Sequence, residues 1–339
     1  MKVFVAGSGG WGTAASLLLK SNGHDVTLWS FFPEEAETLK RERENKKFLK
    51  GVSLPEDLKI TSDLSLLNGA EALVLATPSF AARQTVKSLK PYLNAKAVIC
   101  LTKGFDRENG YCLFSDTVDE ILESKFPIVA LTGPSHAEEV GRRVPTAVVS
   151  ASKDKDAAEF AQSLFMADWF RVYTTPDIVG AELGGALKNI IALAVGICEG
   201  AGFGDNTKAA LMTRGLTEMA RLGVALGGQS ETFAGLSGIG DLIVTCISMH
   251  SRNHRAGLLI GEGKSPKAAI EEVGSVVEGY YATEAGYHLS KKTGIEMPIC
   301  EAMYQLLYSD YGVKQALTDL MTRNKKQEIE EVWMKHIRW

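Results

Sequence analysis

The sequence is poor in the features that mark several large classes of protein. Its charges are mixed, with 37 lysines and arginines against 41 acidic residues and a formal net charge of −4, and it has no basic run long enough to follow a nucleic-acid backbone. Nucleic acid is therefore not an expected partner. Internal repeats and low-complexity segments are also lacking, which argues against a repeat protein or a disordered chain.

Cysteine is scarce and shows no paired motif. The sequence has five cysteines, an odd number, at widely separated positions and without any CxxC spacing: Cys100, Cys112, Cys198, Cys246 and Cys300. This pattern is typical of reduced thiols and does not indicate a disulfide framework. The first residues, Lys2 to Ala6, lack the apolar core of a signal peptide. We therefore expect a cytoplasmic protein.

Long apolar runs are missing as well. The most apolar stretch, Ile190 to Cys198, lies between Lys188 and Glu199 and has only nine residues. A helix that crosses a bilayer needs about 20 predominantly apolar residues. The stretch therefore predicts a buried core helix and no membrane span.

The first half of the sequence alternates short apolar runs with helical windows. With 339 residues and 45% hydrophobic composition, the chain exceeds the size of a single core, so we expect two domains. The alternation predicts a parallel sheet with crossover helices, and the nearly continuous apolar character of the strands indicates helices on both faces. The predicted strands are Val3 to Ala6, Val26 to Trp29, Ala72 to Ala76, Val98 to Leu101 and Ile128 to Leu131, with helices at Ala81 to Leu89 and Leu113 to Lys125.

A further pair of strands is predicted to extend this sheet, after which the strand signal ends. The pair is Ala147 to Ser150 and Phe170 to Thr174, around a helical window at Asp154 to Phe165. Beyond Pro176 the sequence alternates helical windows with glycine-containing loops. We predict an α/β domain with a Rossmann-type, doubly wound sheet in residues 1–178, which binds a dinucleotide, and an all-α substrate-binding domain in residues 179–339.

A glycine motif follows the first predicted strand directly. Gly7-Ser8-Gly9-Gly10-Trp11-Gly12 matches the Gly-x-Gly-x-x-Gly fingerprint of dinucleotide-binding domains. In that fingerprint Gly7 permits the tight turn, Gly9 lets the backbone approach a pyrophosphate, and Gly12 allows the helix to pack closely on the sheet. A glycine-rich turn without a ligand is the alternative, but the position at the start of a βαβ unit favours a dinucleotide.

The end of the second strand leaves the choice between NAD and NADP open. An acidic residue there usually binds the ribose hydroxyls of NAD, whereas an arginine accommodates the extra phosphate of NADP. The chain has Trp29-Ser30-Phe31-Phe32-Pro33 at this point, with neither residue type. Glu34 and Glu35 follow too late to be assigned as ribose ligands. Ser30 and Phe31 are therefore predicted only to flank the pocket for the adenine ring.

Lys188 is the best candidate for an acid or base. It lies at the front of the most apolar helical stretch, with Gly184 and Gly185 one turn earlier on the same face. Burial can lower the pKa of a lysine toward neutrality, which suits an amine that exchanges a proton with an alcohol. An isolated lysine at a helix edge is more often a solvated side chain. The flanking glycines and Asn189 favour a functional role.

Six ordered blocks extend these observations over nearly the whole chain. Together they resemble the NAD(P)-dependent glycerol-3-phosphate dehydrogenase family, most closely its bacterial form. The blocks are Gly7 to Gly12, Leu101 to Phe105, Thr132 to Val140, Gly185 to Asn189, Gly238 to Leu242 and Ser251 to Asn253. The resemblance implies reversible hydride transfer between NAD(P)H and dihydroxyacetone phosphate, giving glycerol 3-phosphate for phospholipid synthesis.

The resemblance also implies roles for individual residues. Lys188 matches the family's proton acceptor, and the polar residues around it are Asn189, Asp241 and Thr245. In the first domain, Lys103 contacts cofactor and substrate, Gly133 and Ser135 contact substrate, and Ala137, Gly10 and Trp11 contact the cofactor. Ser135 and Glu138 are also predicted to form a capping box that opens a helix.

The Ser251-Arg252-Asn253 block is assigned to the substrate phosphate. Arg252 offers a fixed positive charge and its neighbours offer short polar side chains, a combination suited to a phosphate dianion. The resemblance places Arg252 near the cofactor too, and implies that Val276 and Glu278 belong to a segment that closes over the nicotinamide. Family members that use NADP commonly carry a basic residue where this chain has Ser30, Phe31 and Phe32, so a strong preference for NADPH is not expected.

Three other interpretations compete with this one. A β-hydroxyacid dehydrogenase has a similar architecture and would use Arg252 for a carboxylate, and a noncatalytic nucleotide sensor would need only the first domain. Cys246, His250 and His254 are spaced by four residues and would share a helix face as zinc ligands, although the segment Gly238 to Asn253 is predicted to be rich in loops. The complete Ser251 to Asn253 block, together with Asp241, favours the phosphoester, and no metal is expected. The oligomeric state stays open, with a homodimer as one compatible assembly.

Overall fold

The structure is a computed structural model, which describes residues 1–309, 311–325, 327–328 and 331–333. The chain forms two compact units, Met1–Ile178 and Val179–Trp339. The first is an α/β unit and the second is helical, so the predicted fold class is confirmed.

Unit 1 is built on an eight-stranded sheet. Its strands are β1 (Lys2–Ala6), β2 (Asp25–Trp29), β5 (Lys59–Thr61), β6 (Ala72–Leu75), β7 (Ala97–Cys100), β8 (Ile128–Thr132), β9 (Thr146–Ala151) and β10 (Phe170–Thr175), in the spatial order β10-β9-β8-β7-β6-β1-β2-β5. A separate two-stranded ribbon consists of β3 (Glu44–Asn45) and β4 (Leu49–Ser53). The seven predicted strands are confirmed within one or two residues. The short strands β3, β4 and β5 were not predicted.

One junction of the sheet departs from the predicted parallel arrangement. In the spatial order, each neighbouring pair from β5 through β2, β1, β6 and β7 to β8 is parallel, and β9 is parallel to β10. Strands β8 and β9, in contrast, run antiparallel. The connection between β8 and β9 holds only the four-residue helix α5 (Ala137–Val140). A parallel return usually needs a full crossover helix, so this short connection reverses the chain.

Helices cover both faces of the sheet in unit 1. They are α1 (Gly10–Ser21), α2 (Pro33–Glu42), α3 (Ser79–Leu89), α4 (Phe114–Leu122) and α6 (Lys155–Phe165). Alternate residues of one strand enter different cores: Val3 and Val5 of β1 join one apolar cluster, whereas Phe4 and Ala6 join the other. Burial on both faces explains why the strands are apolar throughout.

Unit 2 consists of helices throughout the residues that the structure describes. These are α7 (Ile178–Gly200), α8 (Asp205–Ala225), α9 (Ser230–Phe233), α10 (Asp241–Ile247), α11 (Arg252–Gly261), α12 (Pro266–Val273), α13 (Glu278–Thr293), α14 (Pro298–Tyr308) and α15 (Val313–Met321). A π-helical turn, Leu236–Gly240, directly precedes α10. The predicted apolar helix is α7, and it is longer than its nine most apolar residues suggest.

The length and composition of α7 would allow it to cross a membrane, but 94% of its most apolar window is buried inside the protein. The bent pair formed by Ser230–Ile247 and Arg252–Gly261 passes the same test of length and composition. Burial of this kind is typical of a core helix, as predicted for α7.

Helices α7 and α11 touch through their backbones. A Cβ atom on Gly196 or Gly200 would lie 2.2 or 2.1 Å from a carbonyl oxygen of α11, and one on Gly257 or Gly261 would lie 2.2 Å from a carbonyl oxygen of α7. On each helix the two glycines are four residues apart and therefore share a face. Only glycine permits this approach, which fixes the separation of the two helices.

Candidate active site

The glycine turn of unit 1 has the geometry that the fingerprint predicts. Gly7 has a φ of +120°, and a Cβ on Gly12 would lie 1.9 Å from the carbonyl oxygen of Gly7, so both positions require glycine. Gly9 is the N-cap of α1, and no atom lies within 4 Å of a Cβ placed on it. The turn therefore presents open space and the free N–H groups of a helix N-terminus, as an anionic pyrophosphate requires.

Two residues that sequence reasoning missed hold this turn. The Ser8 hydroxyl donates to the Glu35 carboxylate, and its oxygen lies 2.9 Å from the hydroxyl oxygen of buried Ser30. Asn45 Nδ2 donates to the Ser8 carbonyl and to Thr13 Oγ1, each at 2.8 Å. Pro33 at the start of α2 was the available signal for Glu35, because a helix that begins there keeps its first turn beside the end of β2.

The other cofactor candidates of unit 1 lie around the turn. A Cβ on Gly10 would lie 3.4 Å from the Cβ of Ala137 and 2.8 Å from the carbonyl oxygen of Phe48. Phe31 follows β2 with 67% of its surface exposed, and Phe32 with 60%. Ala137 therefore lies at the glycine turn, and its contact with the cofactor stays a prediction, as does that of the exposed Phe31.

The predicted substrate contacts of unit 1 converge on one carbonyl group. Lys103 Nζ donates to the Gly133 carbonyl at 3.1 Å, and Ser135 Oγ donates to the same oxygen at 2.9 Å. The predicted capping box is wrong, because α5 begins after His136 and the Ser135 side chain bonds back to Gly133. A carbonyl two residues earlier is within reach of a serine hydroxyl in a turn and competes with the cap.

Several buried polar side-chain atoms of unit 1 make no hydrogen bond within the described residues. Trp11 Nε1, Thr77 Oγ1 and Thr132 Oγ1 are buried and have no hydrogen-bond partner among the described residues. Thr77 and Thr132 lie at the carboxyl ends of β6 and β8, the edge where doubly wound sheets bind ligands. These residues and the glycine turn fit a dinucleotide.

In unit 2, Lys188 is buried in a polar cluster. Lys188 of α7 and Asp241 of α10 are 5% and 1% exposed, and the Lys188 ammonium donates to the Asp241 carboxylate. It also donates to Thr245 Oγ1 at 2.7 Å, while Thr245 Oγ1 donates to the Asp241 carbonyl at 2.6 Å. Three of the predicted residues therefore meet, and they hold the amine in one orientation.

The π-helical turn positions Asp241 for this contact. A Cβ on Gly184 of α7 would lie 2.3 Å from the carbonyl oxygen of Ser237, so α7 and the π-turn touch at their backbones. Single π-turns occur frequently at functional sites because they redirect the residues that follow. The prediction that Gly238 to Asn253 is rich in loops is wrong, since most of it lies in the π-turn, in α10 and in the start of α11. Its glycines were mistaken for loop signals, although they serve close packing.

The Ser251–Asn253 segment opens α11. Ser251 is the N-cap and accepts a hydrogen bond from the His254 backbone N–H, while Arg252 is exposed. Asn253 Nδ2 donates to Asn189 Oδ1 at 2.9 Å, and Asn253 Oδ1 accepts from the Gly279 N–H at 2.8 Å. The segment thus contacts both α7 and the start of α13.

The remaining candidates, Val276 and Glu278, lie at the start of α13, next to the Gly279 that Asn253 contacts. Glu278 is the first residue of α13, next to Gly279, and Val276 lies two residues before that helix. Both residues are partly exposed. Their predicted contact with the cofactor stays a prediction.

The helix face that the unfavoured zinc alternative would require is not present in the described residues. Cys246 lies on α10 and His254 on α11, and these helices are separated by the segment that holds His250, so the three residues do not share a helix face. Burial raises the pKa of the Cys246 thiol to about 12. The spacing of four residues predicts one continuous helix, but residues 248–251 separate α10 from α11.

Comparison with known proteins decides the family. The model of the NAD-dependent glycerol-3-phosphate dehydrogenase N-terminus matches residues 2–158, and the model of the C-terminus of the same enzyme matches residues 177–318. The chain belongs to this family. Sequence relatives agree: it is 49% identical over 333 residues to a Fusobacterium nucleatum protein named glycerol-3-phosphate dehydrogenase (NAD(P)+), covering 97% of the chain and 99% of the relative. A Pelotomaculum thermopropionicum protein of the same name is 51% identical over 334 residues, covering 98% and 96%.

A solved structure supports the same family. The crystal structure of glycerol-3-phosphate dehydrogenase from Coxiella burnetii superposes with a TM-score of 0.91 at 38% identity, covering 95% of this chain and 99% of that one. The predicted resemblance is therefore confirmed. Because both the N-terminal and the C-terminal family models match, an isolated nucleotide-binding domain is excluded, and the β-hydroxyacid dehydrogenase alternative is not favoured.

Proposed function

We propose that this chain is an NAD(P)-dependent glycerol-3-phosphate dehydrogenase, an oxidoreductase that interconverts dihydroxyacetone phosphate and glycerol 3-phosphate. The observation that carries the proposal is the buried Lys188, held by Asp241 and Thr245 in a chain that also has the dinucleotide turn. When bound, the nicotinamide supplies the hydride for reduction of the ketone. The residues of the chain bind, orient and exchange the proton.

Lys188 Nζ is the proposed site of proton exchange. During reduction its N–H gives a proton to the oxygen on carbon two, and during oxidation the amine takes that proton back. The Asp241 carboxylate balances the ammonium charge in a buried site, and Thr245 fixes the direction of the amine. A side chain held by two partners spends little conformational entropy on reaching the reactive orientation.

The substrate phosphate is assigned to the start of α11. Arg252 supplies a permanent positive charge, and the first backbone N–H groups of a helix are available to an anion. Asn253 and Asn189 keep this segment in register with α7. The phosphate thereby provides binding energy remote from the reacting carbon, which can be used to orient it.

Unit 1 is proposed to hold the dinucleotide. Gly7, Gly9, Gly10, Trp11 and Gly12 would hold the pyrophosphate, Ser30 and Phe31 would flank the adenosine, and Ala137 would contact the cofactor. Lys103, Gly133 and Ser135 would add substrate contacts at the carboxyl edge of the sheet. Val276 and Glu278 of unit 2 are assigned to the segment that closes over the nicotinamide.

The cellular role follows from the product. Glycerol 3-phosphate is the backbone from which glycerophospholipids are made, so we infer a role in phospholipid synthesis. Five free cysteines, four of them buried, suit a reducing cytoplasm. A homodimer stays a prediction.

The decisive experiment is an absorbance assay of reduced-nicotinamide oxidation. Purified protein is given dihydroxyacetone phosphate with NADH and with NADPH in parallel. Dihydroxyacetone without its phosphate is the matched control and should be reduced far less efficiently, since it lacks the group that Arg252 binds. The β-hydroxyacid 3-hydroxyisobutyrate tests the alternative activity. Oxidation of this compound with a higher kcat/KM than that for glycerol 3-phosphate, or no turnover of dihydroxyacetone phosphate, would refute the proposal.

A further inference from the structure

The carboxylate of Glu35 reaches the dinucleotide turn from helix α2. It accepts a hydrogen bond from Ser8, the second residue of the glycine motif, and Ser8 is in turn hydrogen-bonded to Ser30 at the end of β2. Glu35 lies in the first turn of α2, where the helix dipole favours a negative charge. A partly buried carboxylate therefore stands beside the turn although the end of β2 itself carries none.

The chemistry of this position separates the two cofactors. In dinucleotide-binding domains, an acidic side chain near the end of the second strand accepts hydrogen bonds from the adenosine ribose hydroxyls of NAD. The same charge repels the phosphate that NADP carries on that ribose. The longer glutamate side chain and the early start of α2 at Pro33 allow a residue beyond the strand to serve.

The surrounding sequence offers no counter-charge along this segment. Residues 30–39 contain neither lysine nor arginine, and the two positions after Ser30 are the exposed Phe31 and Phe32. A ribose phosphate is usually held by an arginine in this segment. Aromatic side chains instead suit the apolar faces of an adenine ring.

We propose that Glu35 is the residue that gives this chain a preference for NADH over NADPH, by accepting the ribose hydroxyls and repelling a ribose phosphate. The inference rests on the proposed function only in assuming that the glycine turn holds a nicotinamide dinucleotide. Ser8 and Ser30 act as positioning residues for the carboxylate.

The test is direct binding, measured by the change in nicotinamide fluorescence on titrating the protein with NADH and with NADPH. The wild type is expected to bind NADH about tenfold more tightly or better, the effect of one charge-assisted contact. Glu35→Gln should bring the ratio of the two dissociation constants close to one. Glu34→Gln removes the same charge from an exposed neighbour on the same helix and should leave the wild-type ratio unchanged.

The ratio of the dissociation constants for NADH and NADPH shows whether Glu35 binds the cofactor or only stabilises the glycine turn. If Glu35 only stabilises the turn, its loss should weaken the binding of both dinucleotides by a similar factor. If Glu35 contacts the ribose, its loss should change the ratio of the two dissociation constants. Thermal unfolding checks that each variant is folded. A wild type that binds NADPH at least as tightly as NADH, or an E35Q variant with an unchanged ratio, would overturn the assignment to Glu35. Failure to bind either dinucleotide would instead refute the proposed function.

Discussion

Asn253 Nδ2 donates a hydrogen bond of 2.9 Å to Asn189 Oδ1, and this bond joins the start of α11 to the residue that follows Lys188. Asn253 Oδ1 also accepts the Gly279 N–H, so Asn253→Ala would leave a buried donor unsatisfied. We expect a loss of about 1–3 kcal/mol in the free energy of unfolding, measured in urea, together with a raised KM for dihydroxyacetone phosphate. Asn206→Ala, at an exposed site on α8, is the control. Unchanged stability in N253A would contradict the bridging role.

Lys188→Met removes both the proposed proton-exchanging amine and its positive charge. Turnover should fall by about 10²–10⁴, while the dissociation constant for NADH changes little, because the dinucleotide contacts assigned to unit 1 remain. The variant leaves the buried Asp241 carboxylate without its ammonium partner, so the free energy of unfolding should fall by about 3–5 kcal/mol.

A second substitution tests this explanation. Lys188→Met combined with Asp241→Asn should recover most of the stability without recovering turnover, since the unpaired charge is removed but the proton donor is still missing. Substantial turnover in either variant would rule out Lys188 as the proton-exchanging group.

Arg252→Ala tests the phosphate assignment. Losing one charge-assisted contact to the phosphate should raise the KM for dihydroxyacetone phosphate by about 10- to 100-fold. Activity toward unphosphorylated dihydroxyacetone should hardly change. Lys267→Ala removes an exposed positive charge from α12 and controls for general electrostatic attraction. Equal effects of the two substitutions would show that Arg252 has no specific contact with the phosphate.

The glycine turn predicts opposite outcomes for two alanine substitutions. Gly12→Ala places a methyl group 1.9 Å from the Gly7 carbonyl oxygen and should destabilise the fold strongly. Gly9→Ala meets no atom within 4 Å and has a backbone φ of −65°, so thermal stability should hold while NADH affinity falls by about tenfold or more. Thermal unfolding and fluorescence titration measure the two effects. Unchanged affinity in G9A would mean that the pyrophosphate does not approach this residue.

Glu218 predicts a pH dependence of stability. Burial raises the pKa of this carboxyl group to about 7, although the N–H groups of Ile299 and Cys300 donate to it and Arg221 and Arg323 oppose the shift. A carboxyl pKa that is higher in the folded than in the unfolded state makes the folded protein bind more protons between pH 4.5 and 7. Its contribution to stability is therefore complete below pH 4.5 and is lost as the pH rises toward 7.

Glu218→Gln should remove this pH dependence. The difference in unfolding free energy between wild type and variant is expected to change by on the order of 3 kcal/mol between pH 4.5 and 7. Urea unfolding at several pH values measures it, and the comparison cancels the titration of the other carboxylates. A difference that stays constant with pH would show that burial does not raise the pKa of Glu218 above its value in the unfolded chain.

Periodicity and turn chemistry predicted most of the fold but few of the side-chain contacts. Apolar runs identified the seven longer strands because burial on both faces leaves no choice of residue type. Strand β5 was not predicted because three residues are too few to show a strand pattern. The antiparallel direction of β9 was not predicted either, because it depends on the shortness of α5 and not on any strand pattern. The Lys188 cluster was predicted by resemblance, since a separation of 53 residues from Asp241 carries no local signal. Glu35 was set aside because it was predicted to open the next helix; it does so, and the early start of α2 still brings its carboxylate to Ser8.

The glycine faces of α7 and α11 have a consequence for how substrate range can change. Lys188 and Arg252 lie on helices whose spacing is set by backbone atoms, with no side-chain layer to trim or enlarge. Substitutions that change only the volume of core side chains therefore cannot alter the backbone distance between these two helices where the glycines meet. If Arg252 binds the substrate phosphate as proposed, a variant that accepts a longer phosphoester would have to change at the helix ends or in the loops and not at this glycine contact.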